Sequence, residues 1–152
     1  MTVIEHRIAG QPVAGERLID VENPATATAI RQVGLASPAQ VQQAIAAAEA
    51  ALPEWRDTPA SKRAQVMFRF KMLLERDADE VVQLLSEEHG KTCEDAMGEL
   101  KRGIENVEYA CGVPELLKGE YSHNAGPGID SFSNHQPVGV VAGITPFNFP
   151  AM

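Results

Sequence analysis

Apolar and polar positions along this chain change their period twice, and those changes predict its elements. Between residues 6 and 22 the period is two. Ile8 and Val13 flank the turn Ala9-Gly10-Gln11-Pro12, and Leu18, Asp20 and Glu22 alternate with Ile19 and Val21, which predicts a short hairpin. Asn23-Pro24 predicts the turn that ends it, and residues 27–34 predict another short extended stretch. The period then becomes helical. Ser37 is placed as an N-cap with Pro38 at the first helical position, and Val41, Ile45, Ala48 and Leu52 follow at helical spacing until Pro53, which is expected to stop the helix. Thr58-Pro59 repeats the start signal. From there to about Leu74, Val66, Met67, Phe68, Phe70, Met72, Leu73 and Leu74 wrap most of the circumference, which predicts a centrally buried helix. Val81, Val82, Leu84 and Leu85 continue it or begin a second piece. His89-Gly90 reads as a C-cap. A further helix is expected from about Thr92 to Cys111, with Leu100, Ile104, Val107 and Cys111 as its apolar stripe, broken or kinked by Gly112 and Pro114.

The last third reads differently. Residues 119–136 hold few large apolar groups, and Tyr121 and Phe132 flank Asn124-Ala-Gly-Pro-Gly128, which predicts a solvent-reaching hairpin or arm, or an ordinary surface loop. Val138 to Ile144 is a run of small and β-branched residues of the kind found in strands buried on both faces. It leads into the corner Pro146-Phe-Asn-Phe-Pro150, with Pro150 placed as the first residue of a helix. An end at Met152, just after a core strand, predicts the front part of a longer protein.

Composition narrows the classes. Apolar residues make up 44% and charged residues 22%, ordinary for a globular protein. The net charge of −8, from 13 basic and 21 acidic residues, argues against nucleic-acid and anionic-membrane partners, which need a basic face. No apolar run approaches the ~20 residues of a membrane span, and no signal or transit peptide is visible. Cys93 and Cys111 fall on one predicted helix, about 27 Å apart along its axis. A disulfide needs Cα atoms within about 7 Å. Reduced thiols, acting as small buried hydrophobes in a cytoplasm-like compartment, are therefore expected.

Two residues stand out as candidate chemistry. Asn148 lies between two phenylalanines at the end of a predicted buried strand, where open α/β sheets bind ligands. Its amide is either a donor into a dry site or a local turn or cap group. Arg102 shares a polar helix face with Glu99, Gly103 and Asn106, opposite Leu100, Ile104 and Val107. It is either a solvated arginine paired with Glu99 or Glu105, or a site residue. Gly98 and Gly103 favour the second reading. A glycine inside a helix costs up to about 1 kcal/mol, so close packing or access to a pocket must favour it. His6, His89, His123 and His135 are scattered without metal-ligand spacing, so no metal site is expected. Asp77, Asp79, Glu80, Glu87 and Glu88 read as a solvated face. No Gly-x-Gly-x-x-Gly fingerprint is present.

Several segments taken together resemble the aldehyde dehydrogenase superfamily. The pattern Gly139-Val-Val-x-Gly143-Ile-Thr-Pro-Phe-Asn-Phe-Pro150 is similar to the end of the first strand of that superfamily's dinucleotide-binding domain. Glu88-His-Gly90-Lys91 resembles its Glu-x-Gly-Lys segment. Gly98-Glu99-Leu-Lys-Arg102-Gly103-Ile-Glu-Asn106, Asn23-Pro24-Ala25-Thr26 and Gln136-Pro137 resemble the CoA-acylating methylmalonate-semialdehyde dehydrogenases in particular.

The resemblance implies an α/β fold. Residues 1–118 would form strands and helices of an NAD-binding domain, 119–137 an oligomerisation arm, and 138–152 the start of a doubly wound sheet. It implies Asn148 as oxyanion donor, Ile144, Thr145, Pro146 and Phe147 as lining of the NAD site, and Arg102 as a holder of the substrate carboxylate. It places the catalytic cysteine beyond Met152. The expected activity of the intact parent is NAD-dependent oxidation of malonate or methylmalonate semialdehyde with transfer to coenzyme A, in a cytoplasmic homo-oligomer, dimer or tetramer. The alternatives are a hydrolytic aldehyde dehydrogenase and a non-catalytic remnant that only pairs with full-length subunits.

Overall fold

A computed structural model describes residues Met1 to Met152. The N-terminal residues form strands β1 (Thr2–Ile4), β2 (His6–Ile8), β3 (Gln11–Val13), β4 (Arg17–Asn23) and β5 (Thr28–Leu35). The predicted hairpin is β2–β3, turning at Ala9-Gly10, both with positive φ. β4 instead joins a three-stranded sheet of order β1-β5-β4, antiparallel to β5 from Arg17 opposite Leu35 to Asn23 opposite Thr28. β1 runs parallel to β5 and was not anticipated: three residues of alternating character carry too little pattern to be read. Asn23 closes β4 as expected, its side chain accepting from the Ala25 N–H at 2.9 Å.

Helix α1 (Pro38–Asp57) starts at the predicted cap. The Gln40 N–H donates to Ser37 Oγ at 3.3 Å, and the Ser37 N–H donates to Gln40 Oε1 at 2.9 Å. Pro53 does not stop it. The helix continues to Asp57, and Thr58 closes it by donating both its N–H and its hydroxyl to the Glu54 carbonyl. Thr58 therefore ends α1 rather than capping α2 (Ala60–Arg76), whose N-cap position is Pro59 without a side-chain bond.

The expectation of a central α2 also fails. Ala64 is its one buried residue, while Phe68, Phe70, Met72 and Leu73 are exposed. The centre is α4 (Cys93–Cys111), against which α2 and α3 (Ala78–His89) both pack. Ala96 and Leu100 of α4 are buried with Val82 and Leu85 of α3. Helix α2 meets α4 and, more weakly, the turn after it and α3, yet Phe68, Phe70, Met72 and Leu73 stay exposed. Only 10 of 152 residues are buried, far fewer than closure of these faces would require. No helix is long and apolar enough to cross a membrane.

The join between α3 and α4 follows the sequence closely. Gly90 caps α3 at φ +84°, in the left-handed region, and a side chain there would also strike the Pro24 ring. Thr92 caps α4 by accepting from the Asp95 N–H at 3.1 Å. Glu87 and Glu88 are not simply solvated. They grip Arg31 of β5 at 2.7 and 3.4 Å, tying the sheet to the end of α3. Gly112 and Pro114 break α4 as predicted, giving a one-turn α5 (Val113–Leu116).

Residues Tyr121–Gly126 (β6) and Ile129–Phe132 (β7) form the predicted hairpin, with Tyr121, Ile129 and Phe132 exposed. Beyond it the picture departs from the sequence reading. Residues 138–144 form no strand, with Val138 and Ile144 94% and 98% exposed, and no helix starts at Pro150. The physical reason is pairing. A strand's backbone groups are satisfied by neighbouring strands, and none of the seven strands present lies alongside this stretch.

Candidate active site

Although no strand forms, the corner that follows is held. Lys91, one residue past the Gly90 cap, reaches from the α3–α4 join and donates to the Asn148 carbonyl at 3.1 Å. Its ammonium also lies 5.0 Å from the centre of the Phe149 ring. The same nitrogen is 2.5 Å from Oε2 of Glu99, on α4. The second oxygen of Glu99 accepts the Ala151 N–H at 2.7 Å. One lysine and one glutamate thus fasten both ends of the segment Asn148–Ala151 to α4.

Glu99 is therefore not part of a solvated polar face, as its helix position suggested. Its side chain is 1% exposed and that of Lys91 is 10% exposed. Burial by itself pushes the Glu99 carboxyl up. The hydrogen bonds from Lys91 and from the Ala151 N–H, with the charge of Lys91, outweigh that and hold it below its ordinary range. Gly103, one turn further along the same face, explains the close approach: a Cβ there would sit 3.0 Å from the Ala151 carbonyl oxygen. That glycine was the available signal for a buried Glu99, because it marks the face on which another piece of chain lies.

Beside the clamp is an open cleft of about 490 Å³, whose lining includes Lys91, Glu94, Asp95, Glu99, Arg102 and Asn148. The structure thus brings together the two residues singled out from separate segments, Arg102 and Asn148. Arg102 is exposed and pairs with neither Glu99 nor Glu105. It lines the cleft and has no carboxylate partner. Gly98 lines the same cleft and has nothing within 4 Å of where a Cβ would stand. The Asn148 side-chain amide is exposed and makes no hydrogen bond within the chain.

Ile144, Thr145, Pro146 and Phe147 lead into Asn148 and are all exposed, Ile144 at 98% and Phe147 at 92%. Phe147 also borders a second cleft of about 390 Å³ with Val81, Leu84 and His89. Neither cysteine lines the first cleft. Cys111 is buried and donates to the Val107 carbonyl, while Cys93 is exposed at the start of α4, contrary to its expected burial. Nothing local in the sequence marks Lys91 and Glu99 as a pair, because they meet only through the fold.

What this arrangement can do is present an amide donor next to an arginine fork in a cleft whose floor is a neutralised ion pair. Comparison with known proteins supplies the context. Residues 11–152 match the profile of the aldehyde dehydrogenase family. The chain is 62% identical over its full length to a malonate-semialdehyde dehydrogenase of Pseudomonas aeruginosa, and spans 31% of that relative. Among solved structures it superposes on a methylmalonate-semialdehyde dehydrogenase of Oceanimonas doudoroffii with a TM-score of 0.95 at 65% identity. It also matches a proposed methylmalonate-semialdehyde dehydrogenase of Sinorhizobium meliloti, complexed with NAD, with a TM-score of 0.94 at 46% identity. Each superposition covers all of this chain and 31% of the other. With five sequence segments in family order, a matching profile over all but the first ten residues and a shared N-terminal fold, the chain belongs to the aldehyde dehydrogenase family.

Proposed function

We propose that this chain forms the amino-terminal part of an NAD-dependent, CoA-acylating dehydrogenase of malonate or methylmalonate semialdehyde. The observation that carries this reading is the shared cleft of Asn148 and Arg102. An aldehyde that also bears a carboxylate needs two things from its site. Its carbonyl oxygen gathers negative charge when a nucleophile attacks, and its carboxylate must be held without being neutralised by a proton. The unengaged Asn148 amide suits the first, as a donor that strengthens as charge develops. The unpaired Arg102 fork suits the second, because a planar guanidinium matches a carboxylate.

Residues present on the preceding segment also suit the cofactor. Ile144 and Phe147 offer almost wholly exposed apolar surface, and Thr145 and Pro146 lie between them. NAD, when bound there, would supply the hydride acceptor. The four residues would hold and orient it, and keep water from the reacting carbon. The hairpin β6–β7, with Tyr121, Ile129 and Phe132 outward, is proposed as the arm through which copies assemble. The nucleophilic cysteine and the groups that pass the acyl unit to coenzyme A are expected in the portion of the relatives that lies outside these residues.

The test is an assay of the full-length enzyme carrying this segment. NADH formation from malonate semialdehyde that requires coenzyme A, with acetyl-CoA and carbon dioxide from the lost carboxylate as products, supports the acylating reading. Equal NADH formation without coenzyme A, giving a free acid, would favour the hydrolytic alternative.

A further inference from the structure

The Lys91–Glu99 pair has a use beyond cohesion. Three contacts of Lys91 and Glu99 converge on one short segment, and that segment carries Asn148. Lys91 takes the Asn148 backbone carbonyl at 3.1 Å and covers the Phe149 ring. Glu99 takes the Ala151 N–H at 2.7 Å. Gly103 leaves room for the same segment to lie against α4. None of these contacts touches the Asn148 side chain, so its amide is oriented by its backbone and left open to the cleft. The 2.5 Å contact between the two charges fixes the lysine tip, which otherwise carries several rotatable bonds.

Resting on the reading of Asn148 as the oxyanion donor, we propose that Lys91 and Glu99 are positioning residues that set the direction of the Asn148 amide through its backbone. Loosening them would misplace the donor without removing it. A displacement near 1 Å in such a group costs on the order of 100-fold in rate, whereas ground-state binding is little changed.

The experiment uses the full-length enzyme with Lys91→Met, Lys91→Arg, Glu99→Gln, Asn148→Ala and the double variant Lys91→Met with Asn148→Ala. Expected for Lys91→Met is a fall in kcat of roughly 10- to 100-fold, with KM for NAD and for semialdehyde within about two-fold. Lys91→Arg, which keeps a donor and a charge for Glu99, restores most of that loss. The double variant is no slower than Asn148→Ala alone, because the pair acts only through the asparagine. Glu99→Gln, which keeps an acceptor for the Ala151 N–H, shows a smaller loss of the same kind and carries the test if Lys91→Met does not fold. Unchanged kcat in Lys91→Met and Glu99→Gln, or losses that multiply in the double variant, would overturn the proposal while an impaired Asn148→Ala left the site reading standing. Full turnover by Asn148→Ala would overturn both.

Discussion

The ammonium of Lys91 lies 3.1 Å from the carbonyl oxygen of Asn148, a residue 57 positions further along the chain. A bond of that span holds the segment Asn148–Ala151 against the α3–α4 surface. It also means that the Asn148 side chain and its support can be tested separately.

Removal of the Asn148 amide is expected to lower kcat of the full-length enzyme by about 100- to 1000-fold, the usual cost of one oxyanion donor. Because the backbone carbonyl held by Lys91 survives in Asn148→Ala, the melting temperature should stay close to that of the parent. Steady-state kinetics beside a thermal melt check both halves. A near-normal kcat would remove the assignment.

Arg102→Lys keeps the charge and loses the fork. KM for a carboxylated semialdehyde should rise by roughly ten-fold, while KM for an unsubstituted aldehyde of similar length barely moves. Parallel increases for the two substrates would show that Arg102 serves the fold and not the carboxylate.

Acid should expose the Glu99 clamp. The folded carboxyl titrates below its ordinary value near 4.5, held down by Lys91 and the Ala151 N–H against the upward push of burial. A group lowered on folding contributes stability that is complete above its unfolded pKa and is lost as the pH falls through the folded one. The native chain should therefore be more stable than Glu99→Gln at pH 7, and the gap should close as the pH drops below about 4.5. Half-buried carboxylates that are also lowered, such as Asp77 and Glu87, remain in both chains and cancel in the difference. Melting curves between pH 7 and pH 3 measure it. A gap that stayed constant would mean the pair contributes nothing as an ion pair.

The two glycines of α4 should separate cleanly. Gly98→Ala gains about 1 kcal/mol of helix propensity and meets nothing, so the melting temperature should rise by about 2–4 °C. Gly103→Ala gains the same propensity but sets a methyl 3.0 Å from the Ala151 oxygen, so the corner must shift by a few tenths of an ångström. Little net change in melting, together with slower turnover of the full-length enzyme, is expected. Identical stabilisation by the two substitutions, with turnover intact, would show that the corner does not rest on α4.

The 152 residues by themselves should produce no NADH from semialdehyde and NAD. Cys111 is buried and Cys93 does not line the cleft, so no thiol stands where Asn148 could serve it. The exposed apolar faces of α2 and of residues 138–147 should also make the isolated chain self-associate. Activity in the purified chain, or a strictly monomeric profile by light scattering, would contradict these two expectations respectively.

Local signals were legible in the sequence and long-range ones were not. Ser37-Pro38 and His89-Gly90 announce helix ends through chemistry contained within four residues, although Pro53 and Thr58 sent the opposite signals. The hairpins at Ala9-Gly10 and at Asn124–Gly128 are equally local. Glu99 defeats this kind of reading because its burial comes from a segment 52 residues away. Helix α2 defeats it in the opposite sense. An apolar circumference predicts cover, but cover is supplied by other elements, and here α3, α4 and α5 leave much of it exposed. Val138–Ile144 has strand composition without a ladder for the same reason. Of the site, Asn148 and Arg102 were found because their residue types are unusual for their surroundings, whereas the lysine and glutamate beneath them look ordinary until the fold joins them.

Gly90 offers one more consequence. With φ at +84° and the Pro24 ring against its bare Cα, it seats the end of α3 on the turn that follows β4, and Arg31 locks the neighbouring strand to Glu87 and Glu88. Lys91 is the next residue. The height at which its side chain leaves the backbone is thus inherited from the strand layer. The Asn-Pro turn and the Glu-x-Gly-Lys segment, 65 residues apart in the chain, work as one joint, so a bulkier ring neighbour at position 24 would be felt at the amide of Asn148 without touching it.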